Sequence, residues 1–192
     1  MFLLISGLAI WSVTHLFPVL ASAQRTRITA AIGTNAYRGV FAIVVLAAVT
    51  LMVFGWRRAD PVQLFDPPAW GVTANYFLMV ASVILFAASF TKNNLRRAIR
   101  HPQLSAVIVW ATGHLLATGA ERSVILFGAM AVWALVAIGG LNRRDGAWER
   151  PPPVAAFRDF VLLIVGAAAF FALVFAHPQL LDLSVLVGWV IP

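Results

Sequence analysis

The chain has 192 residues, of which 61% are hydrophobic and only 11% charged, and its formal net charge is +7. A composition this apolar lies outside the range of soluble globular proteins and indicates one integral membrane domain over residues 1–192. The basic residues form short clusters between apolar runs, which argues against a nucleic-acid partner. Because cysteine is absent, disulfides, thiolate catalysis and cysteine-ligated metals are excluded.

Six apolar runs follow one another along the chain, and most approach the roughly 20 residues that a helix needs to cross the hydrocarbon layer. They cover residues 2–20, 39–56, 72–90, 103–120, 123–141 and 158–177. The last piece, LLDLSVLVGWVIP, is too short to span, so we expect it at the membrane interface with Trp189 as an aromatic anchor. The sequence therefore predicts an all-α polytopic bundle of about six membrane-spanning helices and a short C-terminal interfacial segment.

Basic residues alternate between the loops. The loops after the first, third and fifth runs hold 11 of the 14 lysines and arginines: Arg25, Arg27, Arg38, Lys92, Arg96, Arg97, Arg100, Arg143, Arg144, Arg150 and Arg158. The other loops hold only Arg57, Arg58 and Arg122. Since basic loops remain in the cytoplasm, this alternation predicts a multi-pass protein of the bacterial inner membrane with both termini in the periplasm.

The N-terminus has a second interpretation. Ala21-Ser22-Ala23 after an apolar stretch resembles the cleavage site of a secretory signal peptide, and cleavage there would remove His15. However, no basic residue precedes the apolar run, whereas Arg25 and Arg27 follow it. This bias opposes the orientation of a signal peptide, so we expect the first run to be retained as a helix.

Two histidines, His15 and His114, lie inside apolar runs. An ionisable side chain at membrane depth is costly and usually marks a functional site, and imidazoles are common metal ligands. His15 is followed by Pro18, which should kink the helix and free the carbonyl of Thr14. The two histidines are thus the best metal-ligand candidates in the chain. The alternative is that each is hydrogen-bonded across helices.

Each of these histidines follows a tryptophan by four residues, which places Trp11 with His15 and Trp110 with His114 on one helix face. An indole beside an imidazole can line a planar cofactor, although ordinary bundle packing gives the same pattern. Gly113 lets a neighbouring helix or a flat ligand approach closely. We therefore include Trp110 and Gly113 among the candidate cofactor-binding residues.

The remaining histidines suggest other roles. Pro102 suits the first turn of a helix, so His101 should lie at the helix entrance, about 220° around the axis from His114. There it could contact a phosphate or anionic headgroup together with Arg97 and Arg100, or cap the helix. His177 precedes a proline, and we interpret it as a helix terminator.

Several of these segments occur together in a known family. The chain resembles the NnrU family of polytopic bacterial membrane proteins, which are linked with denitrification and nitric-oxide metabolism. The resemblance rests on His15 with Pro18, RHPQL at 100–104, WATGHLLATG at 110–119, and Asn142-Arg143-Arg144.

The same pattern is similar to the 15-cis-zeta-carotene isomerases, which are haem b membrane enzymes. This resemblance implies haem b ligated by His15 and His114. It also implies redox or isomerase chemistry on a small hydrophobic substrate, or a haem-dependent accessory role. A non-enzymatic membrane scaffold is the alternative, in which both histidines serve only as buried hydrogen-bond partners.

A third interpretation comes from the Arg100-His101-Pro102 segment. It resembles the start of the S-adenosylmethionine-binding motif of membrane methyltransferases that modify isoprenylcysteine or phospholipids. Leu104 and Ala106 replace the tyrosine and glycine that complete that motif. We therefore expect no binding of S-adenosylmethionine.

Overall fold

The computed structural model describes the backbone of residues 1–181 and the side chains of residues 1–176. Its seven α-helices in the described range are α1 (Phe2–Leu20), α2 (Ser22–Ile32), α3 (Thr34–Arg58), α4 (Gly71–Ala88), α5 (Pro102–Ala117), α6 (Glu121–Asp145) and α7 (Phe157–Leu181). A short 3₁₀ helix, Leu95–Arg97, precedes α5. The predicted all-α bundle is confirmed. The predicted interfacial segment with Trp189 lies outside the described residues, apart from its first two positions at the end of α7.

Each of the six apolar runs forms a helix. By length and composition, five helices in the described part can cross a membrane: Phe2–Leu20, Thr34–Arg58, Gly71–Ala88, Glu121–Asp145 and Phe157–Ala176. The exception is α5, whose 16 residues extend about 24 Å. It ends three residues before the predicted run does, because Thr118 turns to extended backbone with φ −148° and ψ 135°. The bundle thus contains five full-length spans and one short, enclosed helix.

One helix was not predicted from the sequence. The segment Ser22–Ile32, which we had treated as a loop, forms α2, and none of its residues is buried. Alanine, glutamine and arginine favour helix even without an apolar face, and such a helix has no hydrophobic periodicity to reveal it. It ends at Gly33, whose φ of 85° is readily adopted only by glycine.

The packing order follows from the contacts between helices. Helix α1 packs between α3 and α6, α5 packs between α6 and α4, and α7 packs against α4. The central core joins α1 to α6 through Leu4, Leu8, Met130, Trp133 and Ala134. Most other large apolar side chains point outward, as expected for helices that face lipid.

The helices arrange the loops at two ends. His101 at the start of α5 meets Asn142 near the end of α6, and Asn94 after α4 meets Asp159 at the start of α7. The end of α1 also meets the end of α6, since a Cβ atom at Gly140 would lie 2.7 Å from Val19 Cγ1. The loops that hold 11 of the 14 lysines and arginines therefore lie at one end of the bundle, which we call the basic end. At the opposite end Arg122 donates to the Ala59 carbonyl at 3.1 Å and lies 4.8 Å from the centre of the Trp56 ring.

Candidate functional site

The ring of His15 is oriented by its own helix. Its Nδ1 lies 3.0 Å from the Trp11 carbonyl oxygen. A carbonyl can only accept, so Nδ1 carries the proton and Nε2 carries the lone pair in the neutral ring. Histidine ligands of metals typically donate the non-ligating N–H to such an acceptor, which fixes the tautomer. In the neutral ring, Nε2 is therefore the atom through which His15 would ligate a metal.

Aromatic rings from three helices surround His15. The Trp11 ring of α1 is stacked on it with a centroid distance of 4.0 Å. The rings of Phe41 in α3 and Trp133 in α6 approach it edge-on at 5.2 Å and 5.5 Å. We call these four residues the His15 cluster. Such stacked and edge-on arrangements fix the orientation of the imidazole.

The His15 cluster contains two unpaired donors. The indole Nε1 atoms of Trp11 and Trp133 are buried and have no hydrogen-bond partner within the described part of the chain. A buried donor without a partner costs about 1–3 kcal/mol, and native proteins rarely leave such a group unpaired. Both indole N–H groups could therefore donate to a ligand that approaches the His15 cluster.

Pro18 lies within the same helix. Helix α1 continues through this proline to Leu20. The backbone N–H of Ala21 then closes the helix by donating to the Phe17 carbonyl at 2.8 Å. Pro18 therefore lies inside the last turn of α1, one turn beyond His15.

The ring of His114 is held in the same way by α5. Its Nδ1 lies 2.9 Å from the Trp110 carbonyl oxygen, again four residues earlier. The Phe127 ring of α6 is stacked on the imidazole at 4.3 Å, and the Trp110 ring is tilted at 5.2 Å. Trp110 and Phe127 also contact each other edge-on at 4.8 Å. We call these three residues the His114 cluster.

Gly113 faces α4. A Cβ atom at this position would lie 2.6 Å from Asn75 Oδ1 and 2.7 Å from Met79 Cε. Helix α4 therefore approaches Gly113 closely, as the sequence predicts. Contact between Gly113 or Trp110 and a cofactor stays a prediction.

The two clusters lie at different levels of the bundle. His15 contacts Trp133 and His114 contacts Phe127, and these partners are six residues apart on α6. Six residues of α-helix rise about 9 Å. Two imidazoles that share one metal ion need ligating nitrogens about 4 Å apart, given metal–nitrogen bonds of about 2 Å. The geometry thus gives two separate aromatic-lined histidines, and their joint ligation of one metal stays a prediction.

The other predicted polar residues lie at the basic end. His101 Nε2 lies 2.9 Å from Asn142 Oδ1, and Arg100 Nη1 donates to the Gly146 carbonyl at 2.8 Å. The side chain of His177 lies outside the described residues. Among the described residues there is no group of three or more His, Asp or Glu side chains that could hold a metal ion.

Sequence reasoning missed the ring partners on α6. Phe127 and Trp133 stand among many aromatic residues in apolar runs, so no motif distinguishes them. Only the tertiary contacts show which histidine each of them meets.

Antiparallel apolar helices packed around intramembrane histidines define a polytopic helical membrane protein. Within that class, the chain matches the NnrU protein family over residues 3–185 and belongs to it. Neither the comparison with curated proteins nor that with solved structures found a match. The resemblance to the NnrU family is confirmed, whereas the relationships to carotene isomerases and methyltransferases stay expectations.

Proposed function

We propose that this protein binds haem b inside the membrane and serves nitrogen-oxide metabolism, with His15 and His114 as the ligands. Family membership supports the metabolic assignment, because NnrU proteins are linked with denitrification and nitric oxide. The observation that carries the proposal is the His15 cluster, where an oriented imidazole lies beside two buried indole N–H groups that have no acceptor among the described residues.

The residues of the His15 cluster fit the chemistry of haem. Haem has a flat apolar ring that suits aromatic neighbours and two carboxylates that accept hydrogen bonds, which Trp11 and Trp133 could supply. The Nδ1–H bond of His15 to a carbonyl leaves Nε2 for iron. When bound, haem would supply one-electron chemistry at its iron.

Absorption spectroscopy tests the cofactor. Wild-type protein in detergent, reconstituted with haem, should show the Soret band and sharp reduced α and β bands of imidazole-ligated haem. His15→Ala should abolish these bands, whereas His177→Ala, which changes a histidine outside the proposal, should retain them. A well-folded wild-type protein without such a spectrum contradicts haem binding.

The spin state of the iron then tests joint ligation. If both histidines ligate one haem, His114→Ala should convert a low-spin spectrum to a high-spin one at unchanged haem stoichiometry. An unchanged low-spin spectrum in His114→Ala would show that His114 is not a ligand. That result would agree with the separation of about 9 Å between the two levels on α6.

A growth assay separates haem ligation from a scaffold role. Glutamine retains hydrogen bonding, so a strain with His15→Gln and His114→Gln should denitrify normally if the histidines act only as hydrogen-bond partners. We expect loss of growth at unchanged protein abundance. Normal growth would favour the scaffold and contradict the proposed ligation.

The membrane orientation is part of the proposal. The basic end should face the cytoplasm, with both termini periplasmic in a bacterial inner membrane. A reporter fused after Pro192 should therefore be active only in the periplasm. Cytoplasmic activity of that fusion would contradict both the orientation and the even number of crossings.

A methyltransferase activity is not expected. Leu104 and Ala106 stand where the S-adenosylmethionine motif needs tyrosine and glycine. Calorimetric titration with S-adenosylmethionine should therefore give no saturable heat. Saturable heat that disappears in an Arg100→Ala, His101→Ala double variant would contradict this expectation.

A further inference from the structure

We propose that a cleft at the basic end, between the start of α5 and the end of α6, binds the phosphate of an anionic phospholipid. The cleft has a volume of about 460 Å³. Its lining includes Arg100, His101, Ser105, Ile138, Asn142 and Trp148. It is separate from both histidine clusters, so its occupation does not depend on haem.

The polar wall of the cleft offers hydrogen-bond donors. Arg100 uses Nη1 to bind the Gly146 carbonyl at 2.8 Å, and a guanidinium has five N–H groups in all. His101 is fixed beside it by the 2.9 Å contact with Asn142 Oδ1, which requires Nε2 to be the donor. The arginine is thus oriented by one bond and retains further donors for a phosphate, the bidentate partner that a guanidinium prefers.

The first turn of α5 adds to this wall. His101 is its N-cap residue, and no side chain caps the helix. Pro102 has no N–H, and the Ser105 N–H donates to the His101 carbonyl at 2.9 Å. The N–H groups of Gln103 and Leu104 therefore have no capping side chain, and helix N-termini of this kind favour phosphate oxygens.

The rest of the lining is apolar. Ile99 and Ile138 contribute aliphatic surface, and Trp148 contributes an indole. Tryptophan is typical of the level where headgroups meet acyl chains. An open cleft that is lined by both donors and apolar side chains fits a lipid better than it fits a free anion.

The surrounding charge also favours an anion. The basic end holds 11 lysines and arginines but only three acidic residues, Asp145, Glu149 and Asp159. Asp145 is paired with Arg144 at 2.7 Å, and Asp159 accepts from Asn94 at 2.7 Å. Even with all three carboxylates ionised, the eleven basic residues leave excess positive charge for a lipid phosphate.

Native mass spectrometry of the whole protein tests the proposal. The detergent-solubilised protein is titrated with dioleoyl phosphatidylglycerol or dioleoyl phosphatidylcholine. We expect a preference for phosphatidylglycerol that falls about fivefold in Arg100→Gln, since a basic residue near a membrane surface contributes about 1 kcal/mol. Arg27→Gln is the matched control, because it removes one charge from the same end on α2. It should change the preference little.

The outcomes distinguish a specific site in the cleft from diffuse attraction of anionic lipid to the basic end, and a lipid ligand from free phosphate. An equal loss in Arg27→Gln and Arg100→Gln would show diffuse charge attraction and overturn the site. Displacement of phosphatidylglycerol by millimolar inorganic phosphate would show that the cleft binds free phosphate rather than a lipid, and it would overturn the proposal. Trp148→Ala tests the apolar lining, and it should weaken binding of both lipids while leaving their ratio unchanged. If Trp148→Ala changed the ratio of phosphatidylglycerol to phosphatidylcholine binding, this would contradict the assigned roles of the polar and the apolar lining residues.

Discussion

The same tryptophan–histidine spacing occurs twice in this protein, and the two copies have different surroundings. In both, the histidine donates through Nδ1 to the tryptophan carbonyl four residues earlier. His15 then meets rings from three helices, two of them indoles with unpaired N–H groups. His114 meets the rings of Trp110 on its own helix and Phe127 on α6. The local bond comes from helix geometry alone, whereas the capacity to bind a ligand depends on what the other helices bring.

This difference indicates different roles for the two clusters. Phe127 has no polar atom, so the His114 cluster is well packed but offers a ligand fewer donors. The His15 cluster contains unpaired donors that are costly unless an acceptor is present. We therefore expect changes in the packing around His114, at Gly113 and Phe127, to act mainly on stability, and changes in the rings around His15 to act mainly on ligand affinity.

The largest expected effect is on stability, at Gly113 beside His114. In Gly113→Leu, the new side chain would collide with Asn75 and Met79, whose atoms lie 2.6–2.7 Å from the site of its Cβ. Asn75 and Met79 can shift at their side-chain ends, but a leucine reaches further into α4, and overpacking of this kind costs about 1–3 kcal/mol. Thermal unfolding in detergent, together with the folded yield from size-exclusion chromatography, measures the effect.

Gly128→Leu is the matched control for this change. It introduces the same side chain in α6 at a position where no described atom lies within 4 Å of the added Cβ. It should leave the folded yield near that of wild type. Equal loss in both variants would mean that leucine in a helix, rather than the α4–α5 contact, causes the effect.

The helices could be predicted from the sequence, whereas the contacts between distant segments could not. The six apolar runs predicted helices because hydrophobic length is encoded locally, and all six are present. Helix α2 could not be found this way, because its residues are exposed and lack apolar periodicity. The early end of α5 depends on backbone pairing between distant segments, such as the bond from Leu64 N–H to the Gly119 carbonyl. Such pairing leaves no signal in the sequence near Thr118.

The site shows the same limit. The residues His15 and His114 were found from the cost of an ionisable group at membrane depth, and their shared face with a tryptophan followed from helical spacing. Their separation along α6 depends on which ring each histidine meets. Helix packing determines which ring each histidine meets, and the spacing of residues within one sequence does not specify that packing.

An intermediate effect is expected at Phe127. Phe127→Leu removes ring contacts with His114 at 4.3 Å and Trp110 at 4.8 Å while keeping an apolar side chain. Aromatic pairs contribute about 0.5–1.5 kcal/mol beyond their buried area, so we expect a loss of about 1.5 kcal/mol. Phe77→Leu is the control, since Phe77 is 73% exposed. Equal thermal stability of the two variants would contradict the structural role of the His114 cluster.

The smallest effect on stability is expected at Trp133, where the change should mainly weaken the binding of haem. Trp133→Phe removes a buried N–H that has no partner in the described chain, which offsets part of the packing lost with the smaller ring. Without haem, the variant should therefore remain within about 1 kcal/mol of wild type, far less than the 3–5 kcal/mol typical of truncating a buried tryptophan to alanine.

With haem, Trp133→Phe should lose affinity about tenfold, because a hydrogen bond to a charged acceptor contributes about 1.5–3 kcal/mol. Thermal unfolding and haem titration measure the two quantities, with exposed Trp70→Phe as the control. Unchanged haem affinity in Trp133→Phe would mean that its indole does not contact the ligand, and the difference between the two histidine clusters would then be one of packing alone.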